Sequence, residues 1–89
     1  KPEWWNDEGL KALSARVVRA APNHAAAHLM RADVLCGRSF GAWVAGPRSV
    51  AELKEAATHY DRAATLCPAP ATKAELTSRA DQCRAAGQV

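Results

Sequence analysis

Isoleucine is absent from this 89-residue chain, and the aromatics amount to one Phe, one Tyr and three Trp. So small a stock of strand-forming side chains argues against a sheet. Cysteine is sparse as well. Cys36, Cys67 and Cys83 make an odd count with no C-x-x-C pair, which points away from a disulfide framework or a zinc knuckle and fits a reducing compartment. Long apolar runs are missing: stretches such as Ala25 to Ala27 and Ala42 to Ala45 fall far short of the roughly 20 residues a membrane helix needs. No block of one charge occurs either. The 12 Lys and Arg and 9 Asp and Glu are interspersed for a net +3, without the basic face and stacking aromatics by which proteins track phosphates. G-x-S-x-G, H-E-x-x-H, the P-loop and G-x-G-x-x-G are all absent, so no enzyme activity and no cofactor are expected.

What is present is material for one small core. With 48% hydrophobic and 24% charged residues, and a mean hydropathy of -0.28, the chain reads as a single folded domain rather than a disordered one. Alanine dominates, with Leu, Arg, Glu and Lys behind it, the residues that lose least entropy in a helix. The clearest segment runs from Ala51 to Cys67, where Leu53, Ala57, Tyr60, Ala64 and Cys67 recur at steps of four and three and so share one helical face. Ser49 and Glu52 form an S-x-x-E capping box at its start, and Pro68 marks its end. Pro70 opens a further helix, about 71 to 86, with Leu76, Ala80 and Cys83 in register and Gly87 as its stop. Upstream, Asn23 is the expected N-cap of a helix of about 24 to 36 that carries Leu29, Ala32, Leu35 and Cys36 and stops at Gly37. Asn6-Asp7-Glu8 can cap a first helix, about 7 to 21, with Leu10, Leu13, Val17 and Ala21 turned inward. The spacing thus predicts an all-α fold of four helices with a long loop, about 37 to 49, between the second and third.

In the third helix Ala56, Tyr60, Ala63 and Pro68 follow one another at four, three and five residues, and here the chain resembles the second helix of a tetratricopeptide repeat. That pattern sets small side chains beside one large knob, as close helix crossing requires. Pro22 resembles the same proline one repeat earlier. It precedes Pro68 by 46 residues, which exceeds the 34-residue period by about the length of the 37 to 49 segment, as an insertion between paired helices would. The resemblance implies antiparallel helix pairs stacked as a right-handed array, with Leu10, Ser14 and Val17 as a degenerate counterpart of Ala56, Tyr60 and Ala63. The chain then begins mid-repeat and is expected to be part of a longer one, because such units bury their faces against neighbours.

The resemblance also implies a groove that holds peptide segments of other proteins. Its faces fall on Ala26, Leu29, Met30, Asp33 and Cys36 of the second helix and on Thr72, Glu75, Leu76, Arg79 and Gln82 of the fourth. Members that clamp a terminal carboxylate use Lys and Asn, where this chain has Leu29 and Asp33, so no such clamp is expected. Leu29, Met30, Asp33, Glu75 and Arg79 are therefore the candidate partner-binding residues, with Phe40 and Trp43 of the insertion as candidate anchors or as a small satellite core. On its own helix each charge, Asp33 included, is expected to face solvent, and Glu75 to pair with Arg79 one turn on.

Three features read more simply as packing. His24 and His28 stand four apart, but no acidic or cysteine ligand has a matched spacing, so no metal is expected. Cys67 and Cys83 lie in apolar stripes as small hydrophobes. Trp4 and Trp5 would diverge by about 100° on a helix, so one packs inward and the other is available to a neighbouring surface. The whole reads as a non-catalytic protein-interaction module, with a structural segment of a larger helical solenoid and an RNA-binding helical repeat as the alternatives. An intracellular setting, cytoplasmic or nuclear with an organelle not excluded, is expected, with no membrane partner and with nucleic acid disfavoured.

Overall fold

The computed structural model describes residues 3 to 37 and 46 to 87. Four helices account for most of them: α1 Asp7–Ala20, α2 Ala25–Cys36, α3 Val50–Leu66 and α4 Pro70–Ala86. Among the described residues there is no strand, and no helix is long and apolar enough to cross a membrane. The segment carrying the candidate anchors Phe40 and Trp43 lies outside the described residues.

Local chemistry sets most of the helix ends. Asn6 accepts a hydrogen bond from the Gly9 amide at 2.8 Å and satisfies one of the orphan donors of α1. The Ser49–Glu52 capping box forms in both directions, at 3.0 and 2.9 Å. Gly37 ends α2 in the left-handed region, φ 76°, where a side chain would be strained. One expected cap is corrected: α2 starts after His24, not Asn23, and no side chain caps it. Asn23 instead accepts from Arg62 Nη2 at 3.2 Å, a tertiary contact that outcompetes the local one.

Each helix packs on the next in chain order, with α3 between α2 and α4. The core gathers Ala32 and Leu35 of α2, Ala56, Ala57, Tyr60, Ala63 and Ala64 of α3, and Leu76, Ala80 and Cys83 of α4. Four alanines around one tyrosine let the neighbouring helices approach α3 closely, and Tyr60 is the largest side chain fully removed from solvent among the described residues. α1 contributes less: Leu10 and Ser14 are buried, whereas Leu13 and Val17 are only half-buried and Ala21 has become the C-cap. Ser14 stands where an apolar residue would, because its hydroxyl donates to the Lys11 carbonyl at 3.0 Å and accepts from Arg31 Nη1 at 3.1 Å.

Two polar clamps tie α1 to the rest. The Arg48 guanidinium makes a bidentate bridge to Asp7, at 2.7 and 2.6 Å, and also donates to the Val34 carbonyl at 2.8 Å. On the other side Lys11 Nζ meets Glu52 Oε2 at 2.7 Å. That hydrogen bond, with help from the Ser49 amide, holds the Glu52 carboxyl down at about 2, from an ordinary 4.5, while Glu52 raises the Lys11 ammonium. Since the folded value of Glu52 lies below the unfolded one, its contribution to stability is complete above about pH 4.5 and disappears as the pH falls towards 2. Lys11 has the opposite sign: its contribution is complete below its ordinary 10.5 and is lost at more alkaline pH. Urea melts at intervals between pH 2 and 6 should show the wild type losing stability in that acid window more steeply than Glu52→Gln; parallel curves would contradict the pairing.

Candidate binding surface

An apolar opening lies between α1 and α2. A cleft of about 360 Å³ is lined by Trp5, Leu10 and Leu13 on one side and by Leu29, Met30 and Val34 on the other, with Ala26 and Asp33 completing it. Its Trp5 wall comes from the turn before α1. Trp4 and Trp5 are not helical, and their rings tilt against one another at 60° with centroids 5.5 Å apart, so the expected divergence on a helix is replaced by a contact. Trp5 is half-buried and Trp4 is 49% exposed. Gly9 makes this turn possible, because a Cβ there would fall 1.9 Å from the Trp4 carbonyl oxygen.

Asp33 departs from expectation. It is buried rather than solvated, and the Tyr60 hydroxyl donates a short hydrogen bond to its Oδ1. Burial, reinforced by that carboxylate, raises the Tyr60 hydroxyl well above its ordinary value, so it remains a donor across the accessible pH range. The bond joins the floor of the cleft to the knob at the centre of the core.

A second cavity, about 270 Å³, opens among α2, α3 and α4 and is lined by Cys36, Leu53, Tyr60, Arg79, Gln82 and Cys83. Arg79 donates to Glu75 at 2.7 Å across one turn, the expected pairing, and Glu75 itself is exposed. Cys36 and Cys83 meet here with their sulfurs 3.4 Å apart. Cys83 is buried as expected of a core thiol, and Cys36 is half-buried.

A third depression, about 250 Å³, holds Arg19, Arg31, Glu55 and His59. Behind it His28 and His59 stack with ring centroids 5.2 Å apart and Nδ1 atoms at 3.0 Å. His28 Nε2 lies 2.7 Å from the Pro22 carbonyl, which only accepts, so His28 Nε2 carries a proton and donates it there. The outer nitrogen of His59 faces Glu55 at 3.1 Å. Burial lowers the His59 pKa, and Glu55 opposes that shift. Both ring nitrogens of His28 and of His59 thus have partners within the protein, and among the described residues no group of His, Cys, Asp and Glu is arranged to hold a metal. His24 and His28, four apart in sequence, stand in different settings: His24 is an exposed N-cap, and the His28 ring meets that of His59, 31 residues away.

The candidate binding residues therefore divide. Leu29, Met30 and Asp33 line the α1/α2 cleft, Arg79 lines the α2/α3/α4 cavity, and Glu75 is exposed and accepts from Arg79. Sequence reasoning missed the α1 wall of the cleft, Trp5, Leu10 and Leu13, as binding surface. The heptad-like spacing of Leu10, Leu13 and Val17 was the available signal, since a stripe only half-covered by α2 is left open on its other side. No family model, curated protein or solved structure matches the chain.

Proposed function

We propose that the chain is a non-catalytic protein-interaction module that resembles a tetratricopeptide-type pair array and holds a peptide segment of another protein in the α1/α2 cleft. The observation that carries this reading is the cleft's composition: Leu10, Leu13, Leu29, Met30 and Val34 present an apolar trough beside one amphipathic indole, Trp5. Such a lining offers shape and hydrophobic contact with few hydrogen-bonding groups, which suits spaced apolar side chains of a peptide rather than a polar metabolite. Met30 adds an adaptable side chain at the surface of the trough. Catalysis has no comparable support, because Asp33, Tyr60, His28 and His59 are held in internal hydrogen bonds.

The test is a selection of random 12-residue peptides displayed on phage against the immobilised chain. Enriched peptides are expected to carry two or three spaced Leu, Phe or Trp residues and to lose at least about tenfold in affinity towards Met30→Glu, which is about 1.4 kcal/mol. Met30 lies outside the core, so the thermal melt of the variant should match the wild type. Binders indifferent to Met30→Glu, or no enrichment at all, would remove the cleft from consideration. The exposed Trp4 favours a second reading, in which the α1 end stacks on another helical segment as part of a larger solenoid. Self-association or aggregation relieved by Trp4→Ser would favour that structural role.

A further inference from the structure

Cys36 and Cys83 lie 47 residues apart in sequence, yet the fold sets their sulfurs 3.4 Å from each other at the wall of an open cavity. We infer that this pair is a dithiol–disulfide site, oxidised by low-molecular-weight disulfides that enter the α2/α3/α4 cavity. Three observations support the assignment. The sulfurs are in van der Waals contact, so bond formation needs a closing movement of little more than 1 Å to reach the ordinary S–S length of about 2.05 Å. The cavity that both sulfurs line, about 270 Å³, admits a small reagent. Gln82 and Arg79 also line it, so an amide and a guanidinium that shares its charge with Glu75 stand near the carboxylates and amides of an entering glutathione-type disulfide. Cys67 provides the contrast: it sits at the C-cap of α3, its thiol directed to the Ala69 carbonyl at 3.9 Å and with no second sulfur beside it.

The difference in exposure orders the steps. Cys36, half-buried, loses its proton to solvent and its thiolate attacks one sulfur of the small disulfide RSSR, forming Cys36–S–SR and expelling RS⁻. Cys83, only 3% exposed, is protected from the reagent but is held against Cys36. Its thiolate, after loss of the second proton, attacks the Cys36 sulfur, forms the Cys36–Cys83 bond and expels the second RS⁻. The two protons end on the two leaving thiolates. Two thiols are oxidised and one external disulfide is reduced to two RSH, so no further oxidant is required.

The bond would join α2 directly to α4, two helices that otherwise meet chiefly through α3. It would also replace two sulfurs lining the cavity with a bridge across it. A cross-link closing a loop of this length restricts the unfolded chain strongly, so the oxidised form is expected to be the more thermostable one.

The experiment uses the unmodified chain, folded, with glutathione disulfide as the probe. Trypsin cuts after Arg31, Arg38, Arg62, Lys73, Arg79 and Arg84, so the three cysteines fall on separate peptides, 32–38, 63–73 and 80–84. Oxidation should lower the intact mass by 2 Da, link peptide 32–38 to 80–84, leave 63–73 reduced, and raise the melting temperature by about 10 °C. Excess reduced dithiothreitol should reverse all of these changes. A stable glutathione adduct on Cys36, a link involving peptide 63–73, or an unchanged or lower melting temperature would overturn the assignment. Cys67→Ser should leave the result intact and Cys36→Ser should abolish it. None of these readouts depends on a peptide binding the α1/α2 cleft, so this inference and the proposed function stand or fall separately.

Discussion

Tyr60→Ala is expected to lower the unfolding free energy by about 3 to 5 kcal/mol, the range found when a large buried aromatic is truncated. Tyr60 is fully buried between α2 and α4, with Ala56, Ala57, Ala63 and Ala64 of its own helix around it. Alanines have no side-chain length with which to fill the space left behind, so the site collapses poorly and the cavity term stays large. A second cost is polar. Asp33, buried on α2, accepts from the Tyr60 hydroxyl, and truncation leaves that carboxylate oxygen without its donor. Tyr60→Phe separates the two: it keeps the ring and removes only the hydroxyl, and should cost about 1 to 3 kcal/mol. A chain of this length is expected to have a total stability of only about 4 to 13 kcal/mol, so the alanine variant is near or beyond the limit of folding. Urea denaturation of both variants checks the argument. A cost below about 1 kcal/mol for the alanine variant would mean that Tyr60 is not the knob around which α2, α3 and α4 pack.

The parts of this fold that could be read from the sequence are those decided within one or two helical turns. Ser49 and Glu52 find each other three residues apart, Gly37 stops α2 because its backbone takes a left-handed turn, and the Ala56, Tyr60, Ala63 spacing marks the buried face of α3. All three are periodic or capping signals, and local energetics suffice to produce them. What could not be read is pairing at long range. Asp33 was expected in solvent because a carboxylate on a helix is usually exposed, and only the tyrosine 27 residues on explains its burial. The approach of Cys36 to Cys83, of His28 to His59 and of Asp7 to Arg48 likewise depends on how four helices pack, which periodicity does not encode. Asn23 shows the two levels in competition: its side chain has the right chemistry for a cap and is drawn off by Arg62 of α3. The same division holds for the cleft. Leu29 and Met30 follow from the register of α2, but Trp5 joins them only because Gly9 allows the preceding turn to fold against the start of α1.

Arg48→Met is expected to be the most damaging change outside the core, at about 3 kcal/mol. The Arg48 side chain is 7% exposed and ties together three places: the Asp7 carboxylate at the start of α1, the Val34 carbonyl near the end of α2, and the Gly46 carbonyl just before α3, the last at 3.1 Å. Methionine fills much of the volume but donates nothing, so the carbonyls lose their donor and a largely buried carboxylate loses its main counter-charge. Lys11, 3.7 Å from Asp7 Oδ2, offers partial compensation, which is why the expected cost sits at the low end for a broken buried pair. Asp7→Asn leaves the guanidinium buried against a neutral amide and should cost about 2 kcal/mol. The two costs should not add. Once either charge is gone the other is a liability, so the double variant is expected to recover about 1 to 2 kcal/mol of the summed losses. A coupling below about 0.5 kcal/mol would class the bridge with ordinary exposed ion pairs and would release α1 from this clamp. The clamp also matters for binding, because Asp7 precedes Leu10 by one turn and follows Trp5 by two residues. Loosening it disorders one wall of the α1/α2 cleft while α3 and α4 keep their packing. Arg48→Met should therefore weaken any cleft-bound peptide by more than its effect on the melt of the remaining helices accounts for, a difference that amide hydrogen exchange resolved by helix would show as loss of protection confined to α1.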